Sequence, residues 1–125
     1  MTSGWPRLLL AASVGGAAGA LVRYLLGEVL PDGSGFPWTT FGINVVGSLL
    51  LALLPAIASI RRNRVVAVAL GPGVLGGFTT LSTYAEQGRT LLADGETVLA
   101  GSYLLGTLLA CLVAVQLASR WSAPE

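Results

Sequence analysis

The sequence predicts an all-α integral membrane protein with four transmembrane helices and a break in the third. Three observations carry this reading. Of the 125 residues, 54% are hydrophobic and only 10% charged, whereas a soluble domain carries about 25% charged residues. The mean hydropathy is +0.76, so too few charges exist to coat a water-facing surface. The apolar residues gather into four runs, Leu8–Leu30, Trp38–Ile60, Val65–Leu92 and Val98–Leu117, each reaching the roughly 20 residues a spanning helix needs. The links Pro31–Pro37, Arg61–Arg64 and Ala93–Thr97 leave no room for a soluble unit. Residues 1–125 are therefore read as one four-helix membrane domain.

The same composition excludes several function classes. A net charge of +1 gives no electrostatic case for nucleic acid. The chain has no His and no Lys, and every basic residue is Arg. Cys111 has no partner for an intrachain disulfide and sits in an apolar run, which removes a redox or zinc reading. No general base, nucleophile or nucleotide motif appears, so an enzyme is not expected. Two lookalikes fail on context. Arg7, the apolar stretch after it and Ala18-Gly19-Ala20 imitate a signal peptide, yet the apolar pattern runs on to Leu30 and three more spans follow. Gly71-Pro72-Gly73-Val74-Leu75-Gly76 spells G-x-G-x-x-G, but the rest of a Rossmann unit would have to come from a membrane-length apolar run.

Taken in order, Trp5 and Pro6 open the first span. Trp favours the membrane–water interface, and Pro costs nothing at a helix start, where its missing N–H would be unpaired anyway. Gly15, Gly19 and their small neighbours allow close helix approach in lipid. Arg23, near the far end, is read either as snorkelling or as lining a water-filled vestibule. Pro37 and Trp38 open the second span. Its Asn44 offers two N–H donors that can hold an anion without a charge, or it makes a helix–helix hydrogen bond.

The third span is the most informative. Gly71, Pro72, Gly73, Gly76 and Gly77 precede Phe78-Thr79-Thr80-Leu81-Ser82-Thr83-Tyr84. No uniform helix selects that composition, and irregular backbone at membrane depth is tolerated where protein buries it or where it lines a polar cavity. A break is expected around Gly76–Thr80, exposing carbonyls that can hold a cation, with the Ser82, Thr83 and Tyr84 hydroxyls facing a polar path. In the fourth span Tyr103, Thr107 and Cys111 recur every four residues and share one helix face, as a ladder of donors or as ordinary packing. Trp121 follows this span.

Four spans put both termini and the second link on one side. That side carries Arg7, Arg61, Arg62, Arg64 and Arg120, against Arg89 and Arg23 on the other. The positive-inside rule then places both termini in the cytoplasm.

On these residues the chain resembles the Fluc (CrcB) family of fluoride channels. Gly15-Gly16-Ala17-Ala18-Gly19-Ala20-Leu21-Val22-Arg23-Tyr24 is similar to its first-helix signature, Thr40-Phe41-Gly42-Ile43-Asn44-Val45-Val46-Gly47-Ser48 to its second, and Gly73–Tyr84 to its third-helix break. The resemblance implies a fluoride-selective passive channel in the cell's plasma (inner) membrane that exports cytoplasmic fluoride and lowers its toxicity. It implies an antiparallel, dual-topology dimer, formed with itself or with a homologous subunit, and a structural Na⁺ at the dimer centre held by the Gly76 and Thr79 carbonyls. Asn44 matches the pore asparagine, and Tyr103, Thr107 and Cys111 match the polar track, with a thiol in place of the usual hydroxyl. Leu81 and Tyr84 stand where the family's G-G-F-T-T-F-S-T-F run has pore phenylalanines. A small multidrug-resistance-type proton-coupled exporter needs an acid deep in the first span, where this chain has only Glu28 at the end. A structural subunit without transport would need no interrupted helix.

Overall fold

The computed structural model describes residues 4–122, and every regular element in it is helical. Four helical stretches are long and apolar enough to cross a membrane: Trp5–Val29, Trp38–Ala56, Arg64–Ala93 and Thr97–Ser122. Each overlaps one of the four apolar runs, with the largest departures at the end of the second, which stops at Ala56, and of the fourth, which runs on to Ser122.

Helix α1 (Trp5–Val29) is apolar on nearly every side and buries only Leu8, Gly15 and Gly19. Its outward Leu and Val side chains are exposed, and its two buried glycines face the third span. A Cβ added at Gly19 would lie 1.9 Å from the Val74 carbonyl oxygen, and one at Gly77 would lie 2.1 Å from that of Gly16. The two backbones are in direct contact, which only glycine permits there. Helix α2 (Trp38–Leu53) buries Thr40, Ile43, Asn44 and Gly47, one stripe at helical spacing. This stripe packs chiefly against the last helix.

The second span is shorter than its apolar run. After Leu53 a 3-10 turn, Leu54–Ala56, leads to an extended Ile57. The run to Ile60 is ended by Pro55, which supplies no N–H to continue the helix. Helix α3 (Ala58–Arg62) is a short surface turn. The Asn63 Oδ1 then caps helix α4 (Arg64–Val68), accepting from the Val65 and Val66 N–H groups.

The third span departs from a uniform helix in two places. Ala69–Leu75 forms a π-turn that contains Pro72. The wider turn accommodates the missing N–H and the ring without ending the span. Helix α5 (Gly76–Phe78) continues it, so Gly76 and Gly77 are helical although both lie in the window expected to be broken. The interruption is confined to Thr79 (ψ 154°) and Thr80 (φ −141°, ψ 118°), and helix α6 (Leu81–Ala93) resumes after it. Gly95, at φ 80°, turns the chain into helix α7 (Thr97–Ser122). Helix α7 buries Ala100, Tyr103, Thr107, Ala114 and Ala118 along a single seam. Arg64 lies over the Trp5 ring, 5.9 Å from its centroid, so the start of α1 and the second link share one end of the bundle.

Candidate functional site

The break is built by Asn44. In a continuous helix the Thr80 N–H would be donated to the Gly76 carbonyl, four residues back. Here it is donated to Asn44 Oδ1 at 2.8 Å, and Asn44 Nδ2 donates to the Thr80 carbonyl at 3.0 Å. The Thr83 N–H is likewise diverted, at 3.1 Å, to Thr80 Oγ1, the cap of α6. Gly76 and Thr79 are therefore the carbonyls that lose their helical donors to these two side chains. Thr79 Oγ1 donates back to the Leu75 carbonyl at 3.0 Å. Arg23 Nε donates to the Gly77 carbonyl at 3.2 Å, so the Arg23 side chain crosses to the break. Gly76 is exposed, and a Cβ there would meet nothing closer than 3.8 Å.

Asn44 also faces a groove of about 270 Å³ lined by Ser48, Thr80, Leu81, Tyr84, Thr107 and Cys111, among others. Among the described residues, no charged side chain lines it. One of the two Asn44 N–H bonds is committed to Thr80, which leaves the other for the groove. Leu81 is 78% exposed and forms the open lip. Ser82 is exposed and Thr83 half-buried, and neither lines the groove.

The aromatic hydroxyls are already engaged. Tyr84 donates to the Leu104 carbonyl, and Thr107 donates to the Tyr103 carbonyl at 2.6 Å. Tyr103 is fully buried, 5.4 Å ring to ring from Tyr84, and donates to Gln87 Oε1 at 2.7 Å. Beyond it lies a network that inspection of the motifs misses. Gln87 Nε2 donates to Asp32 Oδ2 and to Thr40 Oγ1, both at 3.1 Å. Asp32 also accepts from the Thr40 hydroxyl (2.7 Å) and from the Thr39 and Thr40 N–H groups (2.8 and 3.1 Å). Burial pushes the Asp32 carboxyl up, but the bonds from Thr40, Thr39 and Gln87 outweigh it and hold it below the ordinary carboxylate range. The cost of polar groups in a span, which singles out Asn44, singles out Gln87 as well. Asp32 carries no such signal, because it lies in a link. Together with Gln87 and Glu86, it lines a second cavity of about 580 Å³ at the end of the bundle that holds the first and third links.

The family model for CrcB-like protein, Camphor Resistance (CrcB), matches residues 10–119. The Fluoride-specific ion channel FluC 2 of Nocardia farcinica is 43% identical over 123 residues, covering 94% of this chain and 88% of that protein. The Fluoride-specific ion channel FluC 1 of Streptomyces coelicolor is 42% identical, covering 97% of this chain and 82% of that protein. The Fluoride-specific ion channel FluC of Sphingopyxis alaskensis is 40% identical, covering 82% and 88%.

Proposed function

The chain belongs to the CrcB family, and from that premise we propose that it is a subunit of a fluoride-selective channel that passively exports fluoride across the plasma membrane. The family is one of ion channels rather than enzymes, and nothing favours the proton-coupled exporter. The observation that carries the reading is the uncharged groove at the helix break, with Asn44 at its wall.

Fluoride has to shed water, be held, and be released. Neutral donors suit that compromise, because a fixed positive charge would trap the ion. The spare Asn44 N–H, the positive edge of the Tyr84 ring and the Cys111 thiol supply such partners, while Thr107, whose proton goes to the Tyr103 carbonyl, lines the path beside them. Leu81 supplies only an apolar wall. Tyr103 continues the path towards the second cavity. Ser82 and Thr83 would contribute only from the rim. Arg23 acts from the vestibule side of the break.

The subunit works as half of an antiparallel dimer. The groove is open along Leu81, and the exposed face of Gly76 leaves space for a second backbone. The Gly76 and Thr79 carbonyls, released as described, are neutral oxygens of the kind a Na⁺ prefers, and paired across a dimer they would hold one as a structural ion. Both termini lie in the cytoplasm by the arginine count. That imbalance favours one insertion direction, so the partner is a homologous subunit of opposite orientation rather than a second copy of this chain.

The test is fluoride efflux from proteoliposomes holding the assembled channel, read with a fluoride electrode against chloride efflux from the same vesicles. Fluoride passage with chloride retained is expected. Equal passage of both anions, or of neither, would overturn the reading.

A further inference from the structure

Two cavities flank a closed cluster. Tyr84 lines the groove at the helix break, Gln87 lines the cavity at the far end, and fully buried Tyr103 touches both residues. The hydrogen-bond polarity through this cluster is fixed by one charge. A carboxylate only accepts, so the Thr40 hydroxyl and the Gln87 amide N–H must both point at Asp32 Oδ2. The Gln87 amide is thereby oriented, its Oε1 faces Tyr103, and the Tyr103 hydroxyl has to be the donor at 2.7 Å. Tyr103 thus presents no proton to an anion arriving from either cavity. Phe36 packs edge-on to the Tyr103 ring at 5.4 Å and restricts its swing.

We propose that Asp32, acting through Gln87, is a positioning residue that locks the donor direction of Tyr103 and so slows fluoride where the path crosses between the two cavities. The inference rests on the fluoride reading for the identity of the ion, but the lock itself does not. Replacing Asp32 by Asn removes the obligatory acceptor. The Gln87 amide can then turn its N–H groups toward Tyr103 and release the Tyr103 proton, so that the connection between the cavities presents donors instead of lone pairs.

Loss of a negative charge would also favour an anion through space, and a double-mutant cycle separates the two effects. Asp32→Asn is expected to raise fluoride flux several-fold in the otherwise unaltered channel and to leave it unchanged in the Tyr103→Phe background. In a protein that passes fluoride, a rise of equal size in both backgrounds, or no rise in either, would overturn the lock. A second readout needs no flux. The tyrosine C–O stretch of Tyr103, isolated by subtracting the infrared spectrum of Tyr103→Phe, should report a donor-only phenol in the parent protein. It should shift towards an acceptor in Asp32→Asn. Gln87→Leu, which leaves the Asp32 contacts to α2 intact, should also move the band. An unmoved band in both variants defeats the lock. A moved band in a protein that passes no fluoride supports the lock and defeats the fluoride reading instead.

Discussion

Asn44 and Thr80 are joined through both polar groups of one peptide residue, Thr80 N–H to Oδ1 at 2.8 Å and Nδ2 to the Thr80 carbonyl at 3.0 Å. A single side chain on the second span thereby takes over the N–H that Thr80 withholds from the helix of the third. Asn44→Asp keeps an acceptor for the N–H but sets a carboxylate against the Thr80 carbonyl and a fixed charge beside the groove. Fluoride flux is expected to fall to background, measured as efflux from proteoliposomes. Asn44→Ala, which loses both bonds, should cost about 1–2 kcal/mol of stability, read as a lower midpoint in detergent unfolding. Unchanged flux in Asn44→Asp would remove Asn44 from the path.

Tyr84 separates a ring from its hydroxyl. Its O–H is held by the Leu104 carbonyl, while the side chain lines the groove, so the ring rather than the hydroxyl is free to meet the ion. Tyr84→Phe should retain most of the fluoride flux at a cost of about 1 kcal/mol for the lost hydrogen bond. Tyr84→Leu should abolish flux, because an aliphatic chain has no positive edge. Equal flux in both variants would show that the ring plays no part.

The close contact between α1 and the third span gives a steric prediction. A methyl at Gly77 would stand 2.1 Å from the Gly16 carbonyl oxygen, whereas one at Gly106 meets nothing within 4 Å. Gly77→Ala should therefore destabilise the fold by at least the roughly 1–3 kcal/mol typical of overpacking. Gly106→Ala should be neutral or slightly stabilising, since alanine is the better helix former. Thermal unfolding of the purified variants decides this.

These contacts explain which features the sequence reveals and which it hides. The four spans are legible because membrane length and apolarity are local properties. The small residues of α1 are legible because lipid-phase packing selects them. The location of the break is only half legible. Gly71, Pro72 and Gly73 advertise irregular backbone, but the π-turn absorbs it, and the interruption falls at Thr79 and Thr80. What decides the place is Asn44, thirty-six residues away in the chain. Pro55, the residue that shortens the second span, is legible and easily passed over inside an apolar run. The Asp32–Gln87–Tyr103 chain is not legible, since it joins a link, the third span and the fourth by contacts that no spacing rule encodes.

Asp32 also makes the start of α2 sensitive to acid. Burial raises its carboxyl, but the combined bonds from Thr40, Thr39 and Gln87 outweigh that and hold it below the ordinary carboxylate range in the folded protein. A depressed carboxyl contributes stability that is fully present above its unfolded value and disappears as pH falls through the folded value. Glu86, Asp94 and Glu96 line the same cavity. Amide-exchange protection at Thr39 and Thr40 should stay flat above the ordinary carboxyl value and fall only below it. In Asp32→Asn the acid-dependent loss should vanish. A loss of protection near neutral pH would assign the cap to another group.

The last prediction concerns the partner. An antiparallel homodimer requires one sequence to insert in both directions, which calls for nearly balanced positive charge on its two ends. Arg7, Arg61, Arg62, Arg64 and Arg120 belong to one end, and only Arg89 and Arg23 to the other, so a single direction is favoured. Leu81, exposed at the lip of the groove, offers no ring edge to an ion, a loss that is harmless if the partner's residues complete the working pore. Self-pairing seen under overexpression would not decide the matter, because excess protein can be driven into either direction. Expression of this chain alone in cells stripped of other fluoride exporters decides it. Growth in fluoride is expected only when a homologous subunit is co-expressed, and moving two of the Arg61–Arg64 charges to the first link should restore partial function to the single chain. Full resistance from the unaltered chain alone would defeat the heteromeric assignment and leave the homodimer.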